Sequence, residues 1–148
     1  MRYEVVRAVR SDLAAMYEIE QVCIADPWSL AAFESSFAAD GAVFLCAKAE
    51  NGEVCGFLTA NAVLDEINIY NIAVKEGYRR LGIASALLNE LEKDKPYCIN
   101  LEVRESNASA IALYMKCGFE QVGKRKDFYL KPTENAVLMT KKCADDRT

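Results

Sequence analysis

The chain has 148 residues, enough for one domain with its own core, and just over half are apolar, which excludes a disordered polypeptide. A formal net charge of −4 argues against a nucleic-acid surface, which needs a basic excess. With no histidine, the usual zinc patterns and any Ser–His or Cys–His mechanism are excluded, and no metal is expected.

In chain order, Tyr3 to Val9 reads as a strand. Ser11 is placed to cap a helix from Asp12 to about Cys23, with Leu13, Met16, Ile19 and Glu20 setting its rhythm. Pro27-Trp28-Ser29 breaks that helix, and Ser29 caps a shorter one through Phe33 and Phe37. Val43 to Ala49 and Val54 to Leu64 are strands joined by a hairpin at Asn51-Gly52, a pair that tolerates positive φ. Ile67 to Val74 is the next strand, followed by a small-residue turn and a helix to about Lys93. Tyr97 to Val103 alternates as a strand. Ser106 or Asn107 caps a helix through Ile111, Leu113 and Tyr114, which Gly118 stops. Strands near Phe119 to Leu130 and Ala136 to Lys141 pair antiparallel around Pro132, and the tail Ala144 to Thr148 frays. This order predicts one α/β (α+β) domain over 1–143, a mixed sheet with helices on both faces.

The six cysteines (Cys23, Cys46, Cys55, Cys98, Cys117, Cys143) are scattered, with no CxxC pair, and read as reduced thiols of a cytoplasmic protein. Arg2, Glu4 and Arg7 interrupt any secretory apolar run, and no segment reaches the ~18 apolar residues of a membrane span. Neither nucleic acid nor membrane is expected as a partner. Oligomeric state stays open, with a monomer favoured.

Arg79-Arg80-Leu81-Gly82-Ile83-Ala84 is the most informative stretch. Strand, small-residue turn and helix together make an anion cradle, because the helix opens with unpaired N–H groups. It has neither the Lys of a P-loop nor the extra Gly of a dinucleotide fingerprint.

The same stretch resembles the R/Q-x-x-G-x-G/A motif of the GNAT N-acetyltransferase superfamily, and Asn107 through Leu113-Tyr114 to Gly118-Phe119 is similar to that superfamily's second signature. Pro27-Trp28-Ser29, Val63 to Glu66, Tyr70 to Val74, Leu101 to Arg104 and the closing Asp127-Phe128-Tyr129 with Glu134 to Met139 look like the RimI-type ribosomal-protein-alanine N-acetyltransferases. The resemblance implies a mostly antiparallel sheet of about six or seven strands. It also implies acetyl-CoA as donor and a protein or peptide N-terminus, that of a ribosomal protein, as acceptor.

By that resemblance Ile72, Ala73 and Val74 pair with the pantetheine arm, and the Val74 N–H polarises the thioester carbonyl. Amides from Arg80 to Ser85 (Arg80, Leu81, Gly82, Ile83, Ala84, Ser85), with Arg79 beside them, receive the pyrophosphate, and Asn107 and Tyr114 touch the cofactor. Glu102 is the candidate base: a carboxylate in an apolar strand needs a partner or a site to serve, and Arg104 is the partner to be excluded. Tyr114 is the candidate acid for the departing thiolate, with core packing as the plainer reading. Trp28, Glu66 and Tyr129 are candidates to line the acceptor, against packing for the aromatics and a solvated turn for Glu66. Two rivals remain open: another amine (a different N-terminus, a lysine, a polyamine), or a non-catalytic module that senses acetyl-CoA.

Overall fold

The computed structural model describes residues 2–143. Its elements are β1 (Tyr3–Arg7), α1 (Leu13–Cys23), α2 (Leu30–Ala38), β2 (Ala42–Ala49), β3 (Val54–Val63), β4 (Glu66–Val74), α3 (Ile83–Leu91), β5 (Cys98–Arg104), α4 (Ala108–Lys116), β6 (Glu120–Leu130) and β7 (Thr133–Lys142). Period-two apolar patterning makes each long strand a divider between two cores. In β2, Val43, Leu45 and Ala47 face α3 with Leu58, Leu87, Leu91 and Ile99, while Phe44 and Cys46 face α1 and α2 with Met16, Phe33 and Phe57. Helices therefore cover both faces of one seven-stranded sheet, ordered β1-β2-β3-β4-β5-β7-β6.

Every neighbouring pair is antiparallel except β4 and β5, which are parallel because α3 carries the chain between them. That parallel pairing covers only Glu66–Asn68 against Cys98–Asn100, and beyond it the two strands part. A bulge sharpens the parting. Thr59 pairs with Asn71 and Ala60 with Ile69, so Tyr70 is the extra residue on β4.

Local signals account for most boundaries. The Ser29 Oγ accepts the Ala32 N–H at 3.1 Å to start α2, and Asn107 rather than Ser106 caps α4, through Ala110 N at 3.3 Å. Gly118 ends α4 at φ 98°. At the β2–β3 turn only Gly52 takes a positive φ, while the Asn51 side chain accepts the Glu53 N–H at 2.9 Å. Ser11 does not cap α1. A 3₁₀ turn, Arg10–Asp12, precedes it, and Asp12 accepts the Val9 N–H at 2.8 Å while pairing with Lys48 at 2.9 Å. The carboxylate wins because it satisfies an orphan donor and a buried-side cation at once. The expected frayed tail lies outside the described residues.

Candidate functional site

The gap between β4 and β5 is where backbone and side chains are left without partners. Lys75 donates its N–H to Cys55 O at 2.8 Å, so residue 75 faces β3; alternation then turns Val74 and Ile72 toward the gap. The Val74 carbonyl there takes the Cys23 thiol at 3.7 Å and Arg79 Nε at 3.4 Å, neither of them a strand partner.

At the end of β4 the chain turns through Arg80 (φ 66°) and Gly82 (φ 78°) into α3. Gly82 is the residue that a left-handed N-cap demands. Its carbonyl accepts the Ala86 N–H at 3.0 Å, so the amides before Ala86 open outward. A cavity of about 230 Å³ lies there, lined by Val74, Arg79, Arg80, Gly82, Ile83, Ala84 and Ser85. Leu81 stays outside it and holds the Tyr3 hydroxyl through its carbonyl at 3.3 Å; Ala73 is buried in the sheet. Free amides at a helix start beside an apolar strand edge fit a pyrophosphate with an extended arm.

A second cavity, of about 220 Å³, occupies the gap itself and gathers Ile72, Glu102, Asn107, Tyr114 and Tyr129. Glu102 is exposed, and its side chain makes no hydrogen bond or ion pair with any described residue. Arg104, the partner to be excluded, is spent elsewhere: it pairs with Glu134 at 3.3 Å and donates to the carbonyls of Pro132 at 2.9 Å and Lys131 at 3.0 Å. Tyr114 packs in the core against Phe119 at 5.8 Å and also lines the cavity. Burial holds its phenol protonated, well above the ordinary tyrosine range. Tyr129 is pushed up to about 12, by burial first and then by the neighbouring Glu102 carboxylate, against the pull of Arg104.

Trp28 and Glu66 are not cavity walls. The Trp28 ring packs on Phe33 at 5.3 Å and on the bulged Tyr70 at 5.4 Å, and Tyr70 lines the gap. Glu66 sits at the closed end of the β4–β5 pair, its carboxylate taken by Cys98 Sγ at 3.2 Å and Asn100 Nδ2 at 3.1 Å.

Sequence reasoning passed over three contributors. Tyr70 entered only as the first residue of a matched stretch, because a bulge is invisible to period-two counting. Arg104 entered only as a rival for Glu102. Glu20 did carry a signal, a carboxylate in the apolar phase of α1: it is fully buried, and its Oε2 accepts the Trp28 N–H at 2.6 Å. A larger hollow of about 880 Å³ lies between α1 and the segments around Glu53 and Lys75. Two of its carboxylates are committed, Asp12 to Lys48 and Glu53 to Lys75 and Tyr78.

Comparison with known proteins gives these arrangements relatives. A profile described as "Acetyltransferase (GNAT) family" matches residues 13–119. The [ribosomal protein bS18]-alanine N-acetyltransferase of Escherichia coli K12 is 41% identical over 138 residues, covering 87% of this chain and 90% of that protein. The crystal structure of the Escherichia coli ribosomal-protein-S18-alanine N-acetyltransferase superposes with a TM-score of 0.88 at 35% identity, covering 99% of both chains. Arabidopsis thaliana NAA60, solved in complex with acetyl-CoA, shares the fold at a TM-score of 0.86 and 23% identity, over 95% of this chain and 99% of that one.

Proposed function

The chain belongs to the acetyltransferase (GNAT) family, and from that premise we propose that it moves acetyl from acetyl-CoA to the N-terminal alanine amine of a ribosomal protein. It is an N-acetyltransferase; the acceptor and the roles of individual residues are our reading. One observation carries that reading: an unpartnered carboxylate, Glu102, and a protonated phenol, Tyr114, line one cavity in the gap of the sheet.

Acetyl-CoA supplies the activated acetyl thioester. The amides from Arg80 to Ser85 hold its phosphates, helped by roughly 0.3–1 kcal/mol from the α3 helix end. Ile72 and Val74 receive the pantetheine arm along their free edge, with the Val74 N–H aimed where negative charge grows on the thioester oxygen. A peptide α-amine has a pKa near 8, so Glu102 has only a modest deprotonation to perform. Tyr114 returns a proton to the leaving sulfur. The Cys98 thiol is bonded to Glu66 and the Cys23 thiol to Val74 O and Arg79, so no described cysteine is bonded to Glu102 and the attack is direct, in a ternary complex. Tyr129, with Tyr70 and Trp28 behind it, lines the approach of the acceptor. The reaction belongs to one domain over 1–143 in the cytoplasm, a placement supported by the free thiols.

The test is thiol release with a synthetic peptide that begins Ala-Arg, compared with a lysine-containing peptide blocked at its N-terminus and with spermine. Turnover of the first alone is expected. Turnover of spermine alone would remove the protein acceptor, and loss of all turnover would remove the assignment of the acceptor class.

A further inference from the structure

We propose that Arg104 is a positioning residue for the acceptor: it clamps the β6–β7 hairpin so that the Tyr129 ring stands beside Glu102. The inference rests on the reading of Tyr129 as a wall of the acceptor path.

A guanidinium offers a planar fork of donors, and here nearly all of the fork is used. Nη1 donates to Pro132 O at 2.9 Å and Glu134 Oε1 at 3.3 Å, and Nη2 donates to Lys131 O at 3.0 Å. Both carbonyls belong to the tip of the hairpin. The face of the same group lies 4.4 Å from the Tyr129 ring centroid, a close cation–π contact. Glu134 extends the clamp, since its Oε2 accepts the Ser106 N–H at 2.6 Å at the approach to α4. Hydrogen bonds from Ser106 first, and then Arg104, hold the Glu134 carboxyl below its usual range. The Asn135 side chain adds a bond to the Asp127 N–H at 3.0 Å across the same hairpin. Two side chains, Arg104 and Glu134, thus join β5, the hairpin tip and the approach to α4.

Two consequences follow from the geometry. Arg104 is two residues from Glu102 on the same strand, yet it pairs with Glu134, which leaves the Glu102 carboxylate without an ion-pair partner among the described residues. The clamp meets the 220 Å³ cavity at Arg104 and Tyr129, and neither residue lines the cavity of Arg79, Arg80 and Gly82 to Ser85. Loosening it is therefore expected to act on the acceptor before it acts on the grip on the CoA phosphates. Lysine cannot replace it, because a point charge does not bond two carbonyls in a plane while stacking on a ring.

The experiment measures KM for the Ala-Arg peptide and for acetyl-CoA in Arg104→Lys, Glu134→Gln, Tyr129→Leu and Arg104→Lys/Tyr129→Leu. Arg104→Lys is expected to raise the peptide KM about tenfold and leave the acetyl-CoA KM within about twofold. Glu134→Gln is expected to do the same more weakly, and it carries the test if the lysine variant has no melting transition. The double variant is expected to be no worse than Tyr129→Leu alone, since both changes break one unit. A wild-type peptide KM in Arg104→Lys, a parallel rise of both KM values, or additive losses in the double variant would each overturn the proposal. Wild-type turnover of the peptide tests the function separately.

Discussion

A carboxyl sealed from solvent changes how a protein answers to pH, and Glu20 is such a group. Burial pushes it up to about 7, against the Trp28 N–H and the Asn71 amide, which favour its anion. Its Oε1 meets no donor in good hydrogen-bonding geometry among the described residues. The folded chain then binds a proton that the unfolded chain has released between its ordinary value, near 4.5, and about 7. Stability from this group is full below the lower value, falls as pH rises through that window, and is flat above it, a change of up to about 3 kcal/mol. Denaturant titrations of Glu20→Gln should show a smaller fall between pH 5 and 7 and greater stability than wild type at pH 8. An unchanged slope would mean that Glu20 is charged in the fold. Glu102 is the opposite kind of carboxylate, exposed and unpaired. Glu102→Gln is expected to lower kcat by about a hundredfold at pH 7, and raising the pH through the amine's own pKa near 8 should recover part of the loss. No recovery would make Glu102 a binding group.

At the scale of elements, the decisive contact is α3 on the sheet. A Cβ on Gly56 of β3 would lie 2.9 Å from Ile83 Cγ2 and 3.2 Å from Ala73 O, so the first turn of α3 is seated directly on β3. Gly56→Ala is expected to cost about 1–3 kcal/mol in unfolding and to weaken acetyl-CoA binding by displacing the amides of Ile83 to Ser85. Calorimetric titration with CoA checks the second effect; full affinity in a destabilised variant would detach the turn from that packing. Much of this level was legible beforehand. Ser29, Asn107, Gly118 and the alternation of β2 and β5 mark their elements because each signal is local. The Gly82 turn and the Asn107–Phe119 block also pointed to residues that line the two cavities, since both are short motifs with a mechanism. What stayed hidden depends on partners distant in the chain. The Tyr70 bulge exists only against Thr59 and Ala60, and the fate of Arg104 depends on Glu134, thirty residues on. Ser11 misled for a related reason: Asp12 had Lys48 as well as Val9 to serve.

For the molecule as a whole, charge is the quantity that the acceptor meets first. A net charge of −4, with Glu102 at the chamber, favours the approach of a cationic peptide and opposes that of an anionic cosubstrate. The peptide kcat/KM should therefore fall several-fold between about 0.02 and 0.3 M salt, while the acetyl-CoA value falls much less or rises. Equal slopes would show that local phosphate contacts, not the overall field, govern both encounters.

The short β4–β5 pairing has a consequence for the sheet's integrity. Among the described residues the ladder between β4 and β5 has three pairs, Glu66–Cys98, Ile67–Ile99 and Asn68–Asn100, with the Tyr97 N–H to Asp65 O bond at 2.7 Å beside them, to knit the strands β1 to β4 to the strands β5 to β7. A thioester arm lying along Ile72 to Val74 would act as a missing rung between two half-sheets, lending the fold RT ln(1 + [L]/Kd) of stability. Amide hydrogen exchange would then slow on both sides of the seam when acetyl-CoA binds, and the enzyme would be most open to proteolysis in cells short of acetyl units.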